Sequence, residues 1–259
     1  MRMMKKVLGT VTVLALSVSL LAGCGSTAVS PVSSTASTAA ESTTSSVVSE
    51  TTSAAADENE AAAAQLLNDL TGSYQELWPV ILADEYKQTW LDDCTALVGE
   101  DNAEAAFEKL SSMVTSDVYG EDAVKAYANG GGAYFCGFTN SLATLTFDGE
   151  TSTISGTDKD GNVLFSHTYH YIGMEPVHGL YEFESDDADS GEFTYFFLAP
   201  DTSAETYHIE FRYGSDAEAL SQYDAGEYAY WVASGISTDC DQTMIDNCIE
   251  LFCTENLAG

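Results

Sequence analysis

Basic side chains are scarce in this chain. Eight Lys and Arg stand against 41 Asp and Glu, for a formal charge of -33. A surface so acidic repels nucleic acid and anionic lipid head groups, so no nucleic-acid partner is expected, while cations are drawn to it diffusely. There is no Cys-x-x-Cys, and the spacing of Cys248 and Cys253 fits no common zinc pattern, so no cysteine-framed zinc site is expected. Gly-x-Ser-x-Gly, His-Glu-x-x-His and any motif singling out a catalytic Cys–His pair are missing too. The glycines at 130–132 lack the Lys-Ser/Thr of a phosphate loop. The expected class is therefore a binding protein and not an enzyme. No apolar run reaches the ~20 residues of a membrane-spanning helix; the stretch at 7–21 is too short.

That stretch is laid out as a secretory signal peptide. Arg2, Lys5 and Lys6 precede it, and Leu21-Ala22-Gly23-Cys24 closes it. The closing tetrad resembles the bacterial lipobox, in which the Cys thiol takes a diacylglycerol as a thioether and the peptide is cut before it. The resemblance implies removal of 1–23 and a lipidated Cys24 that holds the chain on the extracytoplasmic face of the cell membrane. Residues 24–56 are almost all Ser, Thr, Ala and Val, too poor in aromatics to offset the entropy of ordering, and predict a disordered stalk. Residues 57–259 hold nearly all the aromatics and make one globular domain. Five cysteines remain there, Cys94, Cys136, Cys240, Cys248 and Cys253. An odd number leaves at least one unpaired within a chain; buried or free thiols are expected, with one disulfide possible and its connectivity open.

Helical spacing is predicted over 57–70, over 84–98 with Trp90, Leu91, Cys94 and Leu97 in step, over 102–113, and over 121–127. From residue 133 the apolar period becomes two. Strands are predicted at 133–139, 142–147, 151–155, 163–172, 179–184, 193–198 and 206–213, separated by turn residues. The segment 158–162 is one such turn: its Gly and the residue at its twelfth position are wrong for a calcium loop. Asp186, Asp187 and Asp189 read as a solvated loop. A helix is expected at 215–222 and another at 238–257, the latter with Thr238 and Asp241 as its capping signature and Met244, Ile245, Cys248, Ile249 and Phe252 as its buried stripe. The fold class is mostly β with helices: an antiparallel meander that closes or curls, with helices at both ends.

Two segments carry a family resemblance. Residues 70–79, Leu-Thr-Gly-Ser-Tyr-Gln-Glu-Leu-Trp-Pro, are similar to the entry segment of the ZinT/YodA domain, with Tyr74 in place of its Trp. Ala199-Pro200, then Tyr207-His208-Ile209, Gly214-Ser215 and Glu218-Ala219-Leu220 resemble that family's Ala-Pro turn, metal-binding strand, turn and helix. The resemblance covers roughly residues 66–236. It implies a calycin/lipocalin-like barrel with an N-terminal helical insertion, and extracytoplasmic binding of zinc or a similar divalent ion for capture, buffering or delivery, with a metal importer as a partner. Of the three histidines that the family uses, His208 is present; Thr206 stands in place of the first His of the strand and Phe196 in place of the His before the Ala-Pro turn.

Alternation puts Thr206, His208 and Glu210 on one face of their strand and Tyr207, Ile209 and Phe211 on the other. Imidazole and carboxylate both suit zinc, so His208 and Glu210 are the candidate ligands, with Arg212 on the same face competing for the carboxylate. His167 and His170 point to opposite faces, while His170 and His178 flank a turn across which they could face each other. Two other readings fit the same residues: a metal-free lipocalin-like module whose Tyr and Phe line the barrel for a small apolar or aromatic ligand, and a structural envelope domain with no small ligand.

Overall fold

The computed structural model describes residues 47–200 and 208–258. The signal peptide, Cys24 and most of the stalk lie outside them, as does Thr206. The chain begins with helix α1 (Val47–Asp69), followed by β1 (Gly72–Glu76) and a helical insertion of α2 (Leu77–Ile81), α3 (Lys87–Val98), α4 (Glu100–Ser112) and α5 (Glu121–Ala128). Strands β2 (Thr144–Asp148), β3 (Thr153–Thr157), β4 (Val163–Met174), β5 (Tyr181–Ser185), β6 (Tyr195–Leu198) and β7 (His208–Gly214) come next. A single turn of helix, α6 (Ala217–Leu220), strand β8 (Ala233–Ser237) and helix α7 (Gln242–Leu257) complete it. The eight strands form a closed antiparallel barrel in chain order, with β8 pairing back onto β1. Among the described residues no helix is long and apolar enough to cross a membrane.

The pleat decides the layers. On β4 Phe165 and Tyr169 are buried while Leu164, Ser166, Thr168 and His170 between them are exposed, so one face is the barrel interior and the other meets solvent. The interior is packed with aromatics: Phe165, Phe196, Phe211 and Tyr213 stack in sequence, and Trp231 meets Tyr213 edge-on. The interior is thus a packed aromatic core. Helix α1 lies across β2 and β4 and buries Ala63, Leu66 and Leu67, with Leu70 buried just past its end. It passes so close to the β2–β3 turn that a Cβ at Gly149 would sit 2.4 Å from the Asn68 Cα.

A second core fills the space between the outer face of β8 and helices α2, α3, α4 and α7, with Trp90, Ile81, Leu110, Ile236 and Ile249 fully buried. The Trp90 Nε1–H donates to the Ile81 carbonyl at 2.7 Å, which satisfies the indole inside it.

Four sequence expectations change. Helix α1 starts at Val47, ahead of the predicted start at 57, because the Ala-rich run 54–56 continues into the Ala-rich 61–64 without a breaker. Residues 133–139 form no strand. Phe135 makes two isolated bridges, and the next backbone donors go to side chains, Phe138 N–H to Glu76 Oε1 at 2.6 Å and Thr139 N–H to the Tyr213 hydroxyl. Strand β8 has no counterpart in the sequence pattern. Its Ala-Ser-Gly-Ile-Ser is covered on both faces, so alternation vanishes, and a Cβ at Gly235 would press 3.0 Å from Ile209 Cγ1. Finally, α7 is capped by Asp241, whose carboxylate accepts the Met244 N–H at 3.0 Å; the Thr238 N–H instead donates to Ser73 O and prolongs the sheet.

Candidate metal centre

Strand β7 sorts its side chains as the alternation predicts. Ile209, Phe211 and Tyr213 are buried in the barrel core. His208 and Glu210 turn to the other face, where their register partners on β8 are Ile236 and Ser234. That face is roofed by helices, and between the two lies a cavity of about 600 Å³. His208, Glu210 and Ser234 form its floor; Trp78 and Ile81 of α2, Leu110 of α4 with Met113 just past its end, and Cys248 and Phe252 of α7 form the roof. Cys136, His178 and Tyr223 close its sides.

His178 reaches this cavity from the β4–β5 turn, and a buried carboxylate shapes that turn. Glu175 is fully buried, and its two oxygens accept the N–H groups of Val177 at 3.0 Å and His178 at 2.6 Å. The His178 ring then lies against Tyr223, centroids 3.7 Å apart and planes tilted by 42°. Its Nδ1 is buried, 3.4 Å from Glu175 Oε2, yet has no hydrogen-bond partner of normal geometry. An imidazole nitrogen buried without a partner is costly unless something else meets it.

Arg212, expected to contest Glu210, does otherwise. It is fully buried, and its Nη groups donate to the carbonyls of Leu220, Gln222 and Tyr228 in the segment that covers β7. Its guanidinium lies 4.2 Å from the centre of the Tyr223 ring, so Tyr223 carries both His178 and Arg212. Burial lowers the Arg212 pKa, and the neighbouring Tyr223, Tyr134 and Glu175 oppose that. The cysteines on the cavity wall are held as thiols. Burial, then the charge of Glu210, push the Cys136 pKa far up, and burial raises Cys248 to about 12. Neither presents a thiolate at neutral pH.

The structure therefore brings His208 and Glu210 together and adds His178, which sequence reasoning left aside. The signal for His178 was only its place beside a Gly in a hairpin turn; its route into the cavity depends on a contact with a residue 45 positions away, and no local pattern encodes that. The other two histidines go elsewhere. His167 Nδ1 meets Asp187 and His170 Nδ1 meets Asp186, each at 2.8 Å, so the loop at 186–189 is a partner for β4 and not merely solvated, and His170 does not face His178. Phe196 pairs with Tyr213 and shares the interior face, so that position does not look toward His208 at all; Phe197, paired with Arg212, lies on the outer face. Among the described residues no three His, Cys, Asp or Glu side chains stand close enough to hold a metal as they are placed.

No protein-family model matches this chain, and no curated protein matches it at a significant level. Solved structures do. The Zn(II)-bound ZinT-like domain of Streptococcus pneumoniae AdcA is 16% identical, with 71% of this chain and 89% of that one covered and a TM-score of 0.45. Zn(II)-bound AdcA from the same organism is also 16% identical, with 74% of this chain covered and a TM-score of 0.41; the match spans 35% of that longer protein.

Proposed function

We propose that this chain is an extracytoplasmic lipoprotein that binds zinc or a similar divalent ion, as cargo to be captured, buffered or passed to an importer. One observation carries the reading. His208 and Glu210 stand two residues apart on one strand face, and both open into a cavity where a third zinc-type donor, His178, keeps a buried nitrogen without a hydrogen bond. Zinc accepts imidazole nitrogen and carboxylate oxygen at ~2.0–2.2 Å. The three side chains are not yet gathered, so binding draws the β4–β5 turn that carries His178 toward β7. The surplus of acidic groups adds a diffuse attraction that favours cation entry.

Calorimetric titration of the full chain with zinc is expected to show saturable binding at one site, with magnesium showing none at the same concentration, because a magnesium site prefers oxygen ligands alone. A flat zinc titration would sink the reading. The anchor rests on the Cys24 tetrad and is tested separately: Cys24→Ser is expected to move the chain from the membrane pellet to the soluble extracytoplasmic fraction. Retention in the pellet would remove the lipid.

A second reading has its own observation. The cavity is larger than an ion needs, and its roof is apolar, with Leu77, Ile81, Leu110, Met113 and Phe252 facing in. That also suits a small apolar or aromatic ligand outside the barrel. Thermal stabilisation by such a compound, together with no zinc binding, would favour it.

A further inference from the structure

The helical core holds a pair of thiols for which metal binding has no use. Cys94 lies on α3 and Cys253 on α7, both completely buried, and their Sγ atoms are 3.9 Å apart. The two helices pack along one another at this point. A disulfide needs its sulfurs at ~2.05 Å, so this pair has to close by about 2 Å.

We infer that Cys94 and Cys253 are a redox pair that closes to a disulfide and ties the final helix α7 to the inserted helix α3. The two residues are 159 positions apart, so the bond closes a loop that takes in strands β2 to β8. Helix α7 also supplies Cys248, Leu251 and Phe252 to the cavity wall, so the link fixes that wall against the rest of the helical layer. The inference stands on the thiol geometry and does not depend on zinc.

The chemistry is thiol–disulfide exchange with an external disulfide, either a small molecule or an oxidoreductase. One cysteine, as thiolate, attacks the acceptor's S–S bond, forms a mixed disulfide and releases one acceptor thiol. The second cysteine attacks the protein sulfur of that mixed disulfide and releases the other. The protein loses two protons and two electrons, and the acceptor's disulfide becomes two thiols. Burial raises the pKa of both cysteines, so neither is a ready nucleophile in the docked structure. The exchange therefore happens before α7 docks, during folding in the oxidising compartment that the proposed extracytoplasmic location would supply, and the folded core then shields the bond from reductants.

The test is peptide mapping of the full chain, refolded in detergent with oxidised and reduced glutathione and then blocked with N-ethylmaleimide. Cleavage after Glu85, Glu100, Glu250 and Glu255 isolates Cys94 in 86–100 and Cys253 in 251–255, with no other cysteine in either fragment. The expected result is a linked pair of these fragments, lighter than the two thiol peptides by two hydrogens, which a phosphine reductant separates. In Cys94→Ser the pair vanishes and 251–255 carries the maleimide. The oxidised chain is expected to melt about 10 °C above the same chain after reduction. Maleimide on both fragments at every glutathione ratio would overturn the inference, as would Cys253 linked to a different cysteine. An unchanged melting temperature on reduction would overturn the claim that the bond ties the helices.

Discussion

His208→Ala is expected to weaken zinc binding about 100-fold or more, roughly 2.7 kcal/mol, measured by competition with a chromophoric chelator. The size follows from what is left behind. Changes one shell out from a metal already cost 10–100-fold, and this one removes a direct donor. Glu210 remains on the same strand face, but with His178 alone it offers too few donors to replace the water shell of the ion. His208 is half-buried at the first position of β7, and the strand is held by β6 on one side and β8 on the other. The variant should therefore keep its barrel pairing while its zinc affinity collapses. An affinity within threefold of the original would remove His208 from the site.

Arg212→Met is expected to cost about 3–5 kcal/mol of stability, the range for removing one member of a buried charged network. Methionine fits the space left by the arginine stem but donates nothing. The carbonyls of Leu220, Gln222 and Tyr228 would lose their guanidinium partner inside the protein, and Glu175 would lose the positive charge near it. At ~2–4 °C per kcal/mol for a domain of this size, the melting temperature should fall by roughly 6–20 °C. Hydrogen exchange should show where the loss begins: the backbone of 215–230, which Arg212 pins over β7, should lose protection before the barrel strands do. A change under 2 °C would mean that these carbonyls find other donors. Because Tyr223 rests on both Arg212 and His178, the variant should also loosen the turn that carries His178.

Much of the barrel was legible because its strands are covered on one face only. Residues 144–148, 163–174 and 181–185 alternate apolar and polar side chains between clear turns, and Asp158 closes one of those turns by accepting the N–H groups of Asp160 and Asn162 at 2.9 Å each. Strand β8 was not legible, because a strand buried on both faces and built of Ala, Ser and Gly carries neither alternation nor bulk. The segment 133–139 misled for the opposite reason. Its apolar residues are genuine core, but Cys136 and Phe138 belong to two different cores and the backbone between them pairs with side chains. At the site, period two was enough to put His208 and Glu210 on one face. It could not place Phe196 relative to them, since that depends on which β6 residue pairs with which β7 residue. Nor could it find His178, Tyr223 and Arg212 as one cluster, or Cys94 against Cys253, because those contacts join turns and helices far apart in the chain.

The central claim is that a zinc-type ion is held where β7 faces the helical layer. The most direct measurement is a crystal structure of the chain grown with zinc, with anomalous data collected on either side of the zinc absorption edge. The predicted result is a difference peak in the cavity over β7, within ~2.0–2.2 Å of a His208 ring nitrogen and a Glu210 carboxylate oxygen, with the His178 turn drawn toward it. An anomalous map with no peak in that cavity, or with zinc only at surface carboxylates, would contradict it.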